Sequence, residues 1–135
     1  MDMHKPSVLV VDDEENIQVT LSVVLTLVGF RTYTAANVDE ALKILGQERI
    51  DAVSLDIIMP DPRGLGRDGF TLLKYLRTVP TYANVPVLMF TGMDLKCEEE
   101  AAIAELNAKL FHKPQPYAEI IDELNRCLPP ENLPA

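Results

Sequence analysis

Several kinds of residue are scarce in this chain of 135 residues, and each scarcity excludes a class of protein. There is no tryptophan, and the two cysteines, Cys97 and Cys127, form no CxxC pair. Such cysteine usage indicates reduced thiols in a cytoplasmic protein. The longest apolar runs are the length of a strand, and the first residues lack the apolar segment of a signal peptide. We therefore expect neither a membrane span nor a secreted protein.

Positive charge is also scarce, since 12 Lys and Arg stand against 21 Asp and Glu and give a formal net charge of −9. Phosphate backbones attract basic surfaces, so this balance argues against direct nucleic-acid binding. An acidic balance favours holding a divalent cation. The length and the 47% of hydrophobic residues fit one domain with a real core. We assign it residues 1–128, followed by a short tail or truncated linker at 129–135.

Short apolar runs alternate along the chain with segments of helical periodicity. The runs predict five strands, at residues 7–11, 30–34, 52–55, 85–90 and 108–112. Strict alternation of strand and helix predicts an α/β fold with a parallel sheet, right-handed crossovers and helices on both faces. For five strands we expect the flavodoxin-like order 2-1-3-4-5.

Local signals predict where the helices begin, where they end and which face is buried. Gly29 ends the first helix, Asn37 caps the second, and Asp94 caps the fourth. The last helix is predicted at residues 116–128. The buried face of the first helix is predicted to carry apolar residues at helical spacing: Ile17, Leu21, Val24 and Val28.

Four predicted strands end on side chains that phosphoryl chemistry uses. Asp12 and Asp13 follow the first strand, Asp56 the third, Thr91 the fourth and Lys113 the fifth. The carboxyl ends of parallel strands meet at one edge of a sheet, where open α/β folds keep their sites. Taken singly, each residue has an ordinary alternative: the aspartate pair as a helix cap, the threonine in a turn, the lysine on the surface. Together they predict one pocket.

Three neighbouring carboxylates repel one another unless a cation is present. A hard divalent ion such as Mg²⁺ or Mn²⁺ suits their oxygen ligands. Asp13 and Asp56 are the better candidates for direct ligands, with Asp12 acting through water. A carboxylate at Asp56 can attack a phosphoryl group. The Thr91 hydroxyl and the Lys113 ammonium can contact the phosphoryl oxygens.

The same residues lie in five short motifs. These are VVDDE (10–14), LDIIMP (55–60), DGF (68–70), FTG (90–92) and KP (113–114). With this set the chain resembles the receiver domain of two-component response regulators over nearly its whole length. The resemblance implies that Asp56 accepts phosphate from a histidine kinase or a phosphotransfer protein. It also implies Mg²⁺ at Asp12, Asp13, Asp56 and the backbone carbonyl of Ile57, and a cis peptide before Pro114.

The resemblance further implies a signalling role, with no enzymatic turnover beyond the domain's own phosphorylation and dephosphorylation. The phosphorylated domain would switch its contacts with a downstream effector protein, as a monomer or as a phosphorylation-dependent homodimer. No output domain is expected within this chain. Ile58 and Met93 flank the path of hydrolytic water, and both are apolar, which predicts slow autodephosphorylation.

The segment DPRGLGRD, residues 61–68, is longer than the family usually has between these motifs. One interpretation is a tolerated loop insertion. The other is a lid or partner contact, with Arg63 or Arg67 touching the phosphoryl group.

The fifth strand also departs from the family pattern. Receiver domains usually carry a switch aromatic three residues before the lysine, and this chain has Leu110 there. Phe111 follows one place later, and strand alternation points it to the opposite side of the sheet. We therefore predict that Phe111 does not replace the usual aromatic. His112 is expected to be an ordinary strand residue.

Two other functions share part of this residue set. A haloacid-dehalogenase-like phosphatase also uses an aspartate and Mg²⁺, but it needs a second aspartate two positions after the nucleophile. That position holds Ile58 after Asp56 and Glu14 after Asp12. A flavodoxin-like binding module would need a Ser/Thr-rich phosphate loop after the first strand, where Asp12 and Asp13 would repel phosphate.

Overall fold

The structure is a computed structural model that describes residues 5–92, 94–113 and 117–128. Five strands alternate with five helices along the chain. The strands are β1 Ser7–Val11, β2 Arg31–Ala35, β3 Ala52–Asp56, β4 Val87–Thr91 and β5 Ala108–His112. The helices are α1 Glu15–Leu27, α2 Val38–Gln47, α3 Gly69–Thr78, α4 Cys97–Glu105 and α5 Tyr117–Cys127.

The five strands form one sheet in the order β2-β1-β3-β4-β5, and every pair is parallel. The predicted fold class and strand order are therefore confirmed. All five residues of β1, β3 and β4 are buried, as expected for central strands covered on both faces. In the register Val11 pairs with Leu55, so that Asp12 and Asp56 come next on neighbouring strands.

Two apolar layers cover the sheet. Helices α2, α3 and α4 pack on one face, where Leu45, Leu73 and Ile103 join the buried cluster. Helices α1 and α5 pack on the other, where Leu25 and Leu124 are fully buried. Successive strand residues alternate between the two layers, which fixes the side of the sheet that each side chain faces.

The predicted helix caps had mixed outcomes. The Asn37 side chain accepts a hydrogen bond from the backbone N–H of Glu40 at 2.9 Å, and this cap is confirmed. The Asp94 cap is wrong, because α4 begins at Cys97. There the Glu99 side chain accepts from the Lys96 backbone N–H at 2.8 Å, so the cap comes from inside the helix.

The predicted buried face of α1 is partly wrong. Gly29, with φ of 106°, follows the helix end as expected. Leu21 and Leu25 are the buried positions, whereas Val28 is 48% exposed. Leu21 and Leu25 lie one turn apart on the same side of the helix, and this side packs against the sheet.

Two predicted strands begin too early. β2 begins at Arg31 rather than Phe30, and β4 begins at Val87 rather than at residue 85. Pro86 has no N–H for a ladder, although its carbonyl accepts from the backbone N–H of Val53 at 2.9 Å.

Several predictions fall outside the described residues: the tail at 129–135, the cis peptide before Pro114, the start of the last helix at 116 and the role of Met93. Within the described part of the chain, no helix combines the length and apolar character needed to cross a membrane.

Candidate functional site

The predicted site residues do converge at the carboxyl edge of the sheet. Asp12, Asp13 and Asp56 each offer a carboxylate oxygen, and these oxygens lie within 4.8 Å of one another. Asp12 and Asp56 are buried and Asp13 is exposed. The three carboxylates therefore form an oxygen-rich cluster with one side open to solvent, which fits a hard divalent ion that keeps several waters.

Lys113 provides the positive charge of the site. Its Nζ donates hydrogen bonds to Asp12 Oδ2 and Asp56 Oδ2, both at 3.1 Å, and lies 3.5 Å from Glu14 Oε1. The backbone N–H of Lys113 donates to the Thr91 carbonyl at 2.8 Å, which holds the end of β5 against the end of β4. One ammonium thus bridges two buried acids, an arrangement that sequence spacing alone could not show.

The electrostatics of Asp56 reflect this crowding. Burial raises the pKa of Asp56 from 3.8 to about 6; the charge of Asp12 adds to the rise and Lys113 opposes it. For Lys113, burial alone would lower the pKa of the ammonium. The hydrogen bond to Asp12 and the charge of Asp56 outweigh that effect, and the pKa is raised. Asp56 is therefore a carboxylate short of counter-charge.

Asp12 also helps to arrange the loop after β1. Its Oδ1 accepts a hydrogen bond from the backbone N–H of Glu14 at 2.9 Å, just before α1 begins. The alternative of Asp12 as a helix cap is therefore partly realised, although Glu14 holds the cap position itself. The Asp12 side chain thus makes two interactions at once. Oδ1 binds the loop backbone at Glu14, and Oδ2 pairs with Lys113.

Thr91 is buried as the last residue of β4, one place after Phe90, which pairs with Asp56 on β3. This position puts the threonine on the strand next to the one that carries Asp56. Ile58, two residues after Asp56, is 53% exposed.

The turn after β3 constrains the Ile57 carbonyl. It accepts a hydrogen bond from the backbone N–H of Gly69 at 2.8 Å, so this candidate metal ligand already has a partner at the start of α3. A Cβ on Gly69 would lie 2.4 Å from the Asp56 carbonyl oxygen. Glycine is required there because the helix start approaches the Asp56 backbone so closely.

The 61–68 segment is an ordered loop built around Asp61. Its carboxylate accepts from the backbone N–H groups of Arg63, Leu65 and Arg67, at 3.0, 3.2 and 3.0 Å. The Arg67 guanidinium adds two further bonds to the same carboxylate, at 2.9 and 2.8 Å. The hydrogen bond from Arg67 lowers the pKa of Asp61 well below its usual range.

The guanidinium groups of the loop face helix α2. Arg67 Nη1 donates to Asp39 Oδ1 at 2.8 Å, and Arg63 Nε lies 3.3 Å from Asp39 Oδ2. Both arginines thus contact Asp39 or Asp61 rather than Asp56, against the hypothesis that either would touch a phosphoryl group there. Sequence reasoning missed Asp61, although a carboxylate before a Gly-rich turn is a known organiser of loops.

The two candidate switch residues lie on opposite sides of the sheet, as predicted. Leu110 packs with the α2–α4 layer. Phe111 packs with the α1–α5 layer and stacks on Phe90, with ring centroids 5.2 Å apart. Phe111 therefore lies on the opposite side of the sheet from Leu110. His112 is exposed on β5, the edge strand.

With this geometry in hand, comparisons with known proteins identify the class. The response regulator receiver domain matches residues 8–125. The chain belongs to this family, and it is a receiver domain of two-component signalling.

Full-length and partial relatives both occur. Sporulation initiation phosphotransferase F of Bacillus subtilis is 32% identical over 94% of this chain and 97% of its own length. The probable transcriptional regulator ycf27 of Cyanidium caldarium is 37% identical over 64% of this chain. The match spans only 31% of that regulator, and 37% of the ycf27 protein of Porphyra purpurea.

Solved structures show the same architecture. The chemotaxis protein CheY4 of Vibrio cholerae superposes with a TM-score of 0.80 at 29% identity, covering 92% of this chain and 99% of that one. The receiver domain of Francisella response regulator 1452 gives a TM-score of 0.77 at 27% identity, covering 91% and 96%.

The Asp61 loop gives a matched pair of variants. Arg67→Ala removes the bonds that join Asp61 to Asp39, so we expect faster backbone hydrogen exchange at residues 61–68 and a lower melting temperature. Arg63→Ala removes only an ion pair whose arginine is 66% exposed, and such pairs contribute little. Hydrogen exchange followed by mass spectrometry measures both. Equal exchange in the two variants would contradict this account of the loop.

The raised pKa of Asp56 predicts a pH dependence. Between about pH 4 and pH 6 the folded protein binds more protons at this carboxyl than the unfolded chain, so its contribution to stability falls as the pH rises. In the presence of a chelator, Asp56→Asn should raise the melting temperature at about pH 7.5 and much less at about pH 4. Added Mg²⁺ should reduce the difference in melting temperature between the wild type and Asp56→Asn at about pH 7.5.

The exposed Asp122 on α5 provides the control for that titration. Asp122→Asn should leave the pH dependence of the melting temperature unchanged. An equal rise in melting temperature from Asp56→Asn at both pH values would contradict the raised pKa of Asp56.

Proposed function

We propose that this domain accepts a phosphoryl group on Asp56 and thereby switches its contacts with a downstream effector protein. The observation that supports this most is the cluster itself. Three carboxylates lie within 4.8 Å, and one of them, Asp56, shares a single lysine with Asp12. Such a site is short of positive charge and has an open side, as a phosphoryl acceptor dependent on a divalent ion requires.

The chemistry follows from the groups present. An Asp56 carboxylate oxygen attacks phosphorus and forms the acyl phosphate bond, while the bond from phosphorus to the donor breaks. The donor atom, a histidine nitrogen in a histidine kinase or phosphotransfer protein, leaves with the electron pair. The Lys113 ammonium and the Thr91 hydroxyl contact the phosphoryl oxygens and stabilise the charge that collects on them.

A metal ion has a defined place in this proposal. Asp13 and Asp56 would hold Mg²⁺ or Mn²⁺ directly, and Asp12 would act through water, since its carboxylate already serves Glu14 and Lys113. The Ile57 carbonyl is the weaker candidate ligand, because Gly69 occupies one of its lone pairs. When bound, the ion offsets the charge of the carboxylates and of the incoming phosphoryl oxygens.

The proposed partners follow from the family and from one full-length relative. The relative in Bacillus subtilis carries the name of a phosphotransferase of sporulation initiation and matches over almost its entire length. We propose a histidine kinase or phosphotransfer protein as the donor, and phosphorylation-dependent contacts in a monomer or homodimer as the output. The signal would be relayed without the usual aromatic at Leu110.

The competing functions gain no support from the site. A dehalogenase-like phosphatase needs an acid-base group two places after the nucleophile, and Ile58 there is an exposed apolar side chain. The same side chain supports slow hydrolysis of the aspartyl phosphate. A flavodoxin-like module would place an anionic ligand against Asp12 and Asp13, where like charges repel it.

Phosphorylation by a small donor tests the proposal. Wild-type protein incubated with Mg²⁺ and acetyl phosphate should gain the mass of one phosphoryl group, and the bond should be labile. Asp56→Asn should lose the gain entirely, because an amide is not a nucleophile, and a chelator should suppress it in the wild type. Asp122→Asn, on the exposed side of α5, should behave as wild type. Labile phosphate on the Asp56→Asn protein would contradict the proposal.

A further inference from the structure

The side chain of Gln18 joins the start of α1 to the ends of two strands. Gln18 is the fourth residue of α1 and is half-buried. Its amide Nε2 donates a hydrogen bond to the backbone carbonyl of Asp12 at 2.5 Å and a longer one to that of Ala35 at 3.4 Å. Asp12 follows β1 and Ala35 ends β2, so one amide holds both strand ends against α1.

This contact completes the set of hydrogen bonds that hold the Asp12 backbone. The N–H of Asp12 donates to the Ala35 carbonyl at 3.0 Å, while the carbonyl of Asp12 accepts from Gln18. A peptide unit is planar, so a fixed Asp12 carbonyl also fixes the orientation of the peptide that leads into Asp13. On the other side of Asp13, the Glu14 N–H donates to Asp12 Oδ1 at 2.9 Å. The backbone is therefore held on both sides of Asp13.

Asp13 needs this support more than the other two carboxylates of the cluster. Asp12 and Asp56 are buried, and Lys113 donates to both of them, whereas Asp13 is exposed. An exposed side chain on a loose backbone loses conformational entropy when it binds an ion, and a backbone that is already fixed reduces that loss. The orientation of the peptide between Asp12 and Asp13 therefore affects how tightly the cluster can hold a cation.

The uncharged amide of Gln18 suits this role. It donates to the Asp12 carbonyl without adding charge, so the negative charge of the carboxylates is not offset. A lysine at this position could also donate, but its positive charge would repel a metal ion bound nearby.

We propose that Gln18 is a positioning residue for the metal site and acts through the peptide between Asp12 and Asp13. This role rests on the proposed function, because it concerns the ion that Asp13 and Asp56 would hold. A hydrogen bond that only joined α1 to the sheet would contribute to folding stability alone. A positioning residue also changes the affinity for the ion, and that change depends on Asp13.

Mn²⁺ binding to the full chain tests this role, with the free ion measured by electron paramagnetic resonance. Gln18→Met keeps the length of the side chain and removes its donors, so the Mn²⁺ dissociation constant should rise about tenfold. Gln47→Met makes the same substitution at the exposed end of α2 and should keep the wild-type constant. Equal dissociation constants for the wild type and Gln18→Met would overturn the proposal.

A double-mutant cycle separates positioning from a simple loss of stability. In an Asp13→Asn background, Gln18→Met should change the Mn²⁺ dissociation constant by less than about twofold, because the carboxylate that Gln18 positions is gone. A loss of affinity as large as in the wild-type background would overturn the proposal. If Gln18→Met fails to fold, Gln18→Asn takes its place with the same outcomes, since its shorter side chain cannot reach the Asp12 carbonyl.

The order of the loop provides a readout without metal. The ¹⁵N order parameter of the Asp13 amide should be lower in Gln18→Met than in the wild type, and unchanged in Gln47→Met. An unchanged value in Gln18→Met would overturn the proposal and leave phosphate acceptance at Asp56 untouched. A wild-type protein that binds no Mn²⁺ would instead contradict the proposed metal site, and the role of Gln18 would fall with it.

Discussion

The structure depends on one constraint, which is that a single ammonium must serve two buried carboxylates. Lys113 bridges Asp12 and Asp56 across the ends of β1, β3 and β5, three strands that are far apart in sequence. Without it, the carboxyl edge of the sheet would hold a cluster of like charges, two of them buried. The bridge is incomplete, because Asp13 adds a third carboxylate and the pKa of Asp56 stays raised. That remaining deficit of positive charge supports the proposal that this edge binds a cation and a phosphoryl group.

Close backbone packing and a network of hydrogen bonds hold the residues around the site in place. Gly69 brings the start of α3 against the Asp56 backbone, and Asp61 gathers the following loop into an ordered turn fastened to Asp39. The residues of β5 that would relay a signal differ from the usual family pattern. Leu110 occupies the place of the usual switch aromatic, while Phe111 stacks on Phe90 in the other layer. Phe90 and Phe111 thus both belong to the α1–α5 layer.

Features set by local sequence patterns could be predicted from the sequence, whereas contacts between distant residues could not. The alternation of strand and helix segments sufficed for the fold class, because parallel pairing and right-handed crossovers leave few arrangements. The strand order came from the flavodoxin-like order expected for five such strands. The alternation also sufficed for the convergence of Asp12, Asp13, Asp56, Thr91 and Lys113, since strand ends share one edge. The residue type of Asp94 favours a cap, but Glu99 accepts the hydrogen bond of the Lys96 N–H from within the helix. The partners of Arg67 could not be predicted either, because Asp39 lies 28 residues away on another helix.

The central claim is that the aspartate cluster holds a divalent ion and presents Asp56 to a phosphoryl group. The most direct measurement is a crystal structure of the chain with Mg²⁺ and beryllofluoride, which mimics a phosphoryl group on a carboxylate. The account predicts beryllofluoride on the Asp56 carboxylate, in contact with Thr91 Oγ1 and Lys113 Nζ, and Mg²⁺ bound by Asp13 and Asp56. Beryllofluoride on a different carboxylate, or a metal ion bound away from these aspartates, would contradict it.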